Sequence, residues 1–151
     1  MPMTDSPQPW PVAVFAHNEA RNIIACLDSL QAAASHPLEC HVLAIACSDR
    51  TEALVREYSA THPNVRLRSI ALGDKANAWN VFVHEAAPHG ASHYFFIDGD
   101  VRATAGALDI MAHTLTRHPQ ANGVSALPQS GRGVAAFQRD MLKEMEKIPH
   151  G

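Results

Sequence analysis

The sequence has 151 residues, 46% of them hydrophobic, which is enough for one domain with a sizeable core and too little for two. The 12 lysines and arginines are scattered among 15 aspartates and glutamates. Because nucleic-acid binding needs a concentrated basic surface, this charge pattern excludes nucleic acid as a partner.

The N-terminal segment and the hydropathy pattern bear on location. Residues 1–9 contain three prolines and no periodicity, which predicts a flexible lead-in. The chain has no signal-peptide pattern and no uninterrupted apolar stretch of about 18 residues, so we expect a cytoplasmic protein without a transmembrane segment. Cys26, Cys40 and Cys47 have no metal-ligand spacing, and we expect free thiols in a reducing compartment.

From Trp10 onward, short apolar runs alternate with helical patterns, which is typical of βα units around a mainly parallel sheet. The run at residues 12–16 predicts a strand covered on both faces. Asn18 is a candidate N-cap for a helix over residues 19–33. A second strand is predicted at 41–47, followed by a turn at 48–51 and a helix that carries Leu54, Val55 and Tyr58.

The second half of the chain continues the pattern. Arg66 and Arg68 place a predicted strand at 65–72 near a sheet edge. A helix over 75–87, an aromatic strand over 93–97 and a helix capped by Thr104 follow, and residues 122–127 are a candidate return strand. Beyond a loop at 129–133, residues 134–148 predict an amphipathic helix.

Four polar clusters fall at the predicted carboxyl ends of strands, where ligands of open parallel sheets bind. They are Asn18-Glu19, Ser48-Asp49, the helix start at Lys75, and Asp98-Gly99-Asp100. Any one of them is explained as capping or turn chemistry, and Lys75 alone as a solvated lysine. Their occurrence together predicts a ligand site at this edge.

The closely spaced Asp98 and Asp100 favour a hard divalent cation, since two neighbouring carboxylates repel unless a cation neutralises them. Gly99 between them is expected to let a diphosphate approach the backbone. A lysine in the first turn of a helix opposes the helix dipole, so the placement of Lys75 makes sense if its side chain reaches an anionic ligand.

Four blocks in this order resemble family 2 glycosyltransferases. They are VAVFAHNE at residues 12–19 with the helical residues after it, CSDRT at 47–51, GDKANAWN at 73–80, and FFIDGD at 95–100. The likeness covers residues 11–128. It implies an α/β fold of the GT-A (Rossmann-like) type, with a mainly parallel sheet flanked by helices. Residues 10–128 would be the nucleotide-sugar-binding domain, and 129–151 the start of an acceptor-side segment of a fold incomplete at its C-terminus.

The resemblance also implies roles for single residues. Ala16, Asn18 and Glu19 at the exit of strand 1 would line the nucleoside, together with Asp49 unless that residue is only a cap. Lys75 would contact the nucleotide, and Asp98 would lie by the ribose and diphosphate. Asp100, with Asp98, would hold the divalent cation, Mn²⁺ or Mg²⁺, through a DxD motif.

The chain departs from the family pattern in one place that matters for the donor. Many members place an aspartate that recognises uracil at the end of strand 2, where this sequence has Ala44, Ile45 and Ala46. The expected donor is a UDP- or GDP-sugar, with the sugar, the acceptor and the catalytic base unassigned. We expect the 151 residues to bind the donor and not to transfer sugar by themselves.

Two alternatives to a glycosyltransferase stay open at this point. The chain is a non-catalytic or truncated nucleotide-binding module, or, less favoured, a haloacid-dehalogenase-type phosphatase that uses the Asp98/Asp100 pair. Against the phosphatase, Arg102 stands where its motif has threonine. The apolar stripe along residues 137–148 is expected either to pack on its own core or to drive self-association if it is left uncovered.

Overall fold

A computed structural model describes residues 6–131. It contains four strands and four α-helices that alternate along the described chain. In chain order they are β1 (Trp10–Ala16), α1 (Ile23–Gln31), β2 (Leu38–Ile45), α2 (Thr51–Ser59), β3 (Val65–Ile70), α3 (Lys75–Val81), β4 (Phe95–Asp98) and α4 (Ala107–Arg117). A π-helical turn, Phe82–Ala86, continues α3.

The strands form one parallel sheet in the order β3-β2-β1-β4. Every residue of β1 is buried, because both neighbours are strands and both faces are covered. Among the strands of residues 6–131, β3 forms one edge, as its alternating arginines predicted, and β4 forms the other. The predicted α/β architecture with a parallel sheet flanked by helices is therefore confirmed.

Two cores lie on opposite faces of the sheet. On one face, Val12 and Val14 pack against α1, and the same cluster includes Val55 of α2 and Leu108 of α4. On the other face, Phe15 belongs to a smaller cluster with Ala78 of α3, Phe82 of the π-helical turn and Ala87, which directly follows that turn. The consecutive residues of β1 thus alternate between the two cores, which is the period of a strand.

The cysteines are free thiols. Cys26 and Cys40 are buried, and burial raises the pKa of each to about 12, so neither is a nucleophile at neutral pH. Cys47 is half-buried at the end of β2. Within residues 6–131, no helix has the length and apolar character needed to cross a membrane.

Three sequence-based expectations about local structure are wrong. The first helix begins at Ile23, not at residue 19, and Asn18 does not cap it but has a left-handed backbone with φ 53°. The N-cap of α4 is Gly106, with φ 71°, and not Thr104. Residues 122–127 form no strand. Two of these errors involve contacts with distant segments, since Asn18 is bonded to Ser48 and the Gly106 N–H donates to the carbonyl of Ala32.

Two predicted segments fall largely outside residues 6–131. Of the lead-in at residues 1–9, the structure describes only 6–9, which contain no helix or strand. The predicted helix at 134–148, and with it the proposed self-association, lies outside the described residues.

Candidate functional site

The carboxyl ends of the strands surround a cavity of about 380 Å³. Residues from the ends of β1, β2 and β4 and from the start of α3 form its walls. It is lined by Phe15, His17, Glu19, Ile45, Gly73, Lys75, Asp98 and Asp100. The position is the one at which parallel sheets bind ligands, because backbone and side-chain polar groups converge there.

Lys75 and Asp98 meet in this cavity as an ion pair between Nζ and Oδ1. Lys75 is the first residue of α3, and the side chain of the preceding Asp74 caps the helix by accepting from the Ala76 N–H at 2.9 Å. The lysine ammonium also lies 5.2 Å from the centre of the Phe15 ring. The carboxylate and the aromatic face offset the unfavourable position of a cation at a helix N-terminus.

Asp98 ends β4, directly opposite Phe15 of β1 in the strand register. Asp100 follows two residues later, is exposed, and lines the same cavity. No group of three histidines, cysteines, aspartates or glutamates that could hold a metal occurs in residues 6–131. Two carboxylates nevertheless suit Mg²⁺, which is usually held by one or two protein carboxylates together with substrate phosphates. The residues present therefore fit a cation that arrives with a phosphorylated ligand.

Glycine is needed at position 99 for a reason different from the one expected. Its N–H donates to the Phe15 carbonyl at 2.7 Å. A Cβ at this position would lie 3.1 Å from that same oxygen, 3.3 Å from Ala16 Cβ and 3.4 Å from Ile23 Cδ1. The space for a side chain is therefore filled by β1 and α1, and glycine is needed for this close approach rather than for an opening toward a ligand.

Hydrogen bonds tie the loop after β1 to the loop after β2. Asn18 Oδ1 accepts from the N–H groups of Ser48 at 2.8 Å and Asp49 at 3.2 Å. The Glu19 N–H donates to Thr51 Oγ1 at 2.8 Å. The left-handed backbone of Asn18, an uncommon conformation that asparagine tolerates better than most residues, places its amide for these bonds.

Asp49 adds further hydrogen bonds between these two loops. The bonds made by Asn18, Glu19 and Asp49 are together called the loop clamp. Its Oδ1 accepts from the N–H and the hydroxyl of Thr51, at 2.9 and 2.5 Å, and its Oδ2 accepts from the Ala20 N–H at 3.1 Å. The hydrogen bond from the Thr51 hydroxyl, helped by the backbone N–H donors, holds the pKa of Asp49 below its usual value. Its hydrogen bonds to the start of α2 match the capping alternative foreseen for this residue.

The residues nominated from sequence thus separate into two groups. Glu19, Lys75, Asp98 and Asp100 line the cavity. Ala16, Asn18 and Asp49 are not among its lining residues. The side chain of Ala16 is fully buried, and Asn18 and Asp49 tie the loops behind the cavity wall.

Sequence reasoning missed four lining residues, Phe15, His17, Ile45 and Gly73. Phe15 and Ile45 were interpreted as core, which is also true, since they are 5% and 6% exposed. His17 lies between the end of a predicted strand and the Asn18-Glu19 cluster, and this position could have indicated that it belongs to the site. Gly73 precedes the predicted helix start by two residues.

The sequence model of the family described as "Glycosyl transferase family 2" matches residues 12–149. The chain belongs to glycosyl transferase family 2. No curated protein sequence is significantly similar to it. The match covers the exits of all four strands and therefore the whole cavity, and it disfavours the phosphatase alternative.

Solved structures similar to this family 2 chain support the fold. The crystal structure of S. aureus TarS residues 1–349 has a TM-score of 0.61 at 21% identity, over 82% of this chain and 39% of that one. A second crystal structure of S. aureus TarS gives the same score and identity, with 24% of its chain covered. The present chain thus spans well under half the length of these structures. At this identity the similarity establishes the architecture alone.

Proposed function

We propose that the cavity is the donor site of a metal-dependent glycosyltransferase and binds a nucleotide-diphosphate sugar. The observation that carries the proposal is the convergence of Lys75, Asp98, Asp100 and Glu19 on one cavity at the carboxyl ends of the parallel strands. Family membership supports sugar transfer as the reaction, and the cavity supports an anionic ligand with a cation as what is bound.

The charged lining residues can pair with different parts of the ligand. Lys75 is a point cation that can pair with a phosphate oxygen in place of Asp98, its present partner. Asp98 is then free to accept from a ribose hydroxyl or to join Asp100 at a cation. Both side chains of the ion pair are about half-exposed, 57% for Lys75 and 50% for Asp98, so exchanging partners requires little desolvation.

Asp100, with Asp98, is the proposed holder of Mn²⁺ or Mg²⁺. Such an ion would neutralise the negative charge that develops on the departing diphosphate. Glu19 is held in place by accepting a hydrogen bond from Asn22 Nδ2 at 2.9 Å, and it supplies a carboxylate at the nucleoside side of the cavity. Ala16, Asn18 and Asp49 shape that side through the loop clamp, and direct contact of these three with the nucleoside stays a prediction.

Sugar transfer needs an acceptor hydroxyl held against the anomeric carbon and, in inverting enzymes, a carboxylate that takes its proton. Neither requirement can be assigned to residues 6–131, in which the proposed site accounts for donor binding only. A nucleotide-binding module without catalysis is the second candidate. The choice of a UDP- or GDP-sugar, a cytoplasmic location, and the division into a donor domain at 10–128 and an acceptor-side segment after it are parts of the same proposal that rest on the sequence.

Calorimetric titration of the chain with UDP and with GDP, each with and without Mn²⁺, tests the donor site. At least one of the nucleotides should bind about tenfold or more tightly with the metal, because a cation held by Asp98 and Asp100 would offset the repulsion between these carboxylates and the phosphates. Equal affinity in both buffers would remove the metal from the proposal. Assays of donor hydrolysis and of transfer to acceptor then separate the enzyme from the binding module.

A further inference from the structure

The imidazole of His17 is held by one of its two nitrogens. Nδ1 lies 2.7 Å from the carbonyl oxygen of Ile45. A carbonyl oxygen only accepts hydrogen bonds, so Nδ1 carries the proton, and in the neutral ring Nε2 is then an acceptor. The ring is exposed and lines the cavity, and Nε2 has no hydrogen-bond partner within residues 6–131.

The charges of the cavity are unevenly distributed, with Glu19 as the one lining carboxylate outside the group formed by Lys75, Asp98 and Asp100. The charges of Lys75, Asp98 and Asp100 are grouped at the β4 side, where the lysine reaches across Phe15 to Asp98. The opposite end is formed by His17 and Ile45, at the exits of β1 and β2. A diphosphate with its cation requires the charged end, so the nucleobase of the same ligand falls to the His17 end.

The other acceptors on the loops around this end are already engaged, except for one oxygen of Glu19. Asn18 Oδ1 accepts from two backbone N–H groups of the β2 loop, and Asp49 accepts from Thr51 and Ala20. Glu19 accepts from Asn22 through Oε2, and its Oε1, which has no partner within residues 6–131, belongs to a charged carboxylate and not to a neutral group. The end of β2 itself, residues 44–46, carries only Ala44, Ile45 and Ala46. Nε2 of His17 is therefore the open neutral acceptor facing a base at this end.

We propose that His17 is a specificity-determining residue whose Nε2 accepts a hydrogen bond from the ring N–H of the nucleobase. The site then takes bases with a ring N–H on their pairing edge, uracil and guanine, and rejects cytosine and adenine. The corresponding ring nitrogen of cytosine and adenine carries a lone pair, which would face the lone pair of Nε2. This inference rests on the proposed donor site and adds the class of nucleoside to it.

UDP and CDP are the matched probes, because they have the same shape and differ in the polarity of the pairing edge. Titrated into the whole chain with Mn²⁺, UDP should bind about tenfold or more tightly than CDP, the loss expected for one unmade hydrogen bond and two opposed lone pairs. In His17→Phe, which keeps a flat ring without the acceptor, the ratio of the two affinities should fall to about one. His17→Gln should also lower the ratio, because its amide rotates to accept or donate.

His113→Phe is the control, since His113 is an exposed histidine on α4 and is not among the residues that line the cavity. It should leave both affinities and their ratio unchanged. Equal binding of UDP and CDP by the unmodified chain, or a His17→Phe variant that keeps the original ratio, overturns the inference and leaves the donor site intact. Absence of binding by UDP, GDP and CDP alike overturns the donor site, and the inference with it.

Discussion

Lys75 and Asp98 are the first residue of α3 and the last residue of β4, and their ion pair joins the start of that helix to the end of that strand. α3 follows β3 at one edge, β4 is the other edge, and Phe15 of the central β1 lies beneath the ammonium. A ligand that enters between these side chains meets one cation and three carboxylates, those of Glu19, Asp98 and Asp100, within one small cavity. The first two predictions follow from this arrangement.

Replacing Lys75 with methionine should weaken binding of UDP or GDP about tenfold or more, because the side chain keeps its length and loses the charge that faces the phosphates. Unfolding free energy should change by no more than about 1 kcal/mol, since an exposed ion pair contributes little. Calorimetry and thermal unfolding measure the two effects. Arg50→Met, which removes an exposed cation 3.8 Å from Glu57, is the matched control and should leave binding unchanged.

Asp100→Asn should abolish the gain in nucleotide affinity that Mn²⁺ provides and leave the metal-free affinity equal or slightly higher. The amide keeps the shape of the side chain and removes one of the two charges that attract a cation. Thermal stability should hold or rise slightly, because the substitution removes the repulsion between the carboxylates of Asp98 and Asp100. A large drop in Tm would show that Asp100 has a structural role. Glu57→Gln removes an exposed carboxylate with no place in the cavity and serves as the control.

Gly99→Ala should destabilise the fold by about 1–3 kcal/mol, the usual cost of overpacking. The added methyl meets the carbonyl oxygen of Phe15 and the Cβ of Ala16, both in the fully buried β1, where neither atom can move freely. Chemical denaturation provides the measurement. Gly123→Ala is the matched control, because a Cβ there has nothing within 4 Å. Equal effects of the two substitutions would contradict the close packing described for Gly99.

Asp49→Asn should lower Tm at neutral pH, because the charged acceptor of the Thr51 and Ala20 donors is lost. The pKa of Asp49 is depressed in the folded protein, so its contribution is present above the unfolded pKa of about 3.9. The contribution is lost as the pH falls through the lower folded value. The Tm difference between the variant and the unmodified protein should therefore be constant from about pH 5 to 7 and shrink below about pH 4. A difference that grows on acidification would contradict this assignment.

The strands and the edge position of β3 were predictable because burial imposes a plain pattern. β1 is apolar throughout, and its position between two strands follows from that. Arg66 and Arg68 alternate on β3, which only an edge strand tolerates readily. Lys75, Asp98 and Asp100 were found because charged residues directly after strands or at helix starts are conspicuous in a linear sequence.

The remaining parts depend on contacts between distant segments, which no local pattern contains. Asn18 has the composition of an N-cap, but its amide serves Ser48 and Asp49, thirty residues further along the chain, and α1 begins later as a result. His17 was passed over because its link to the site is a hydrogen bond to a backbone carbonyl, which every residue has. Gly99 was expected to face a diphosphate, because its actual neighbours, Phe15 and Ala16, lie far from it in the sequence.

The pairing of β4 with β1 joins residues 95–98 to residues 12–15. Contacts of such sequence separation form late and slowly in folding, because a long loop must close before any pairing energy is gained. Until β4 has paired with β1, Asp98 does not form part of the cavity wall. Nucleotide affinity should therefore report on the closure of β4 onto β1, and a nucleotide present during refolding should trap the closed form without speeding up the pairing of β1, β2 and β3.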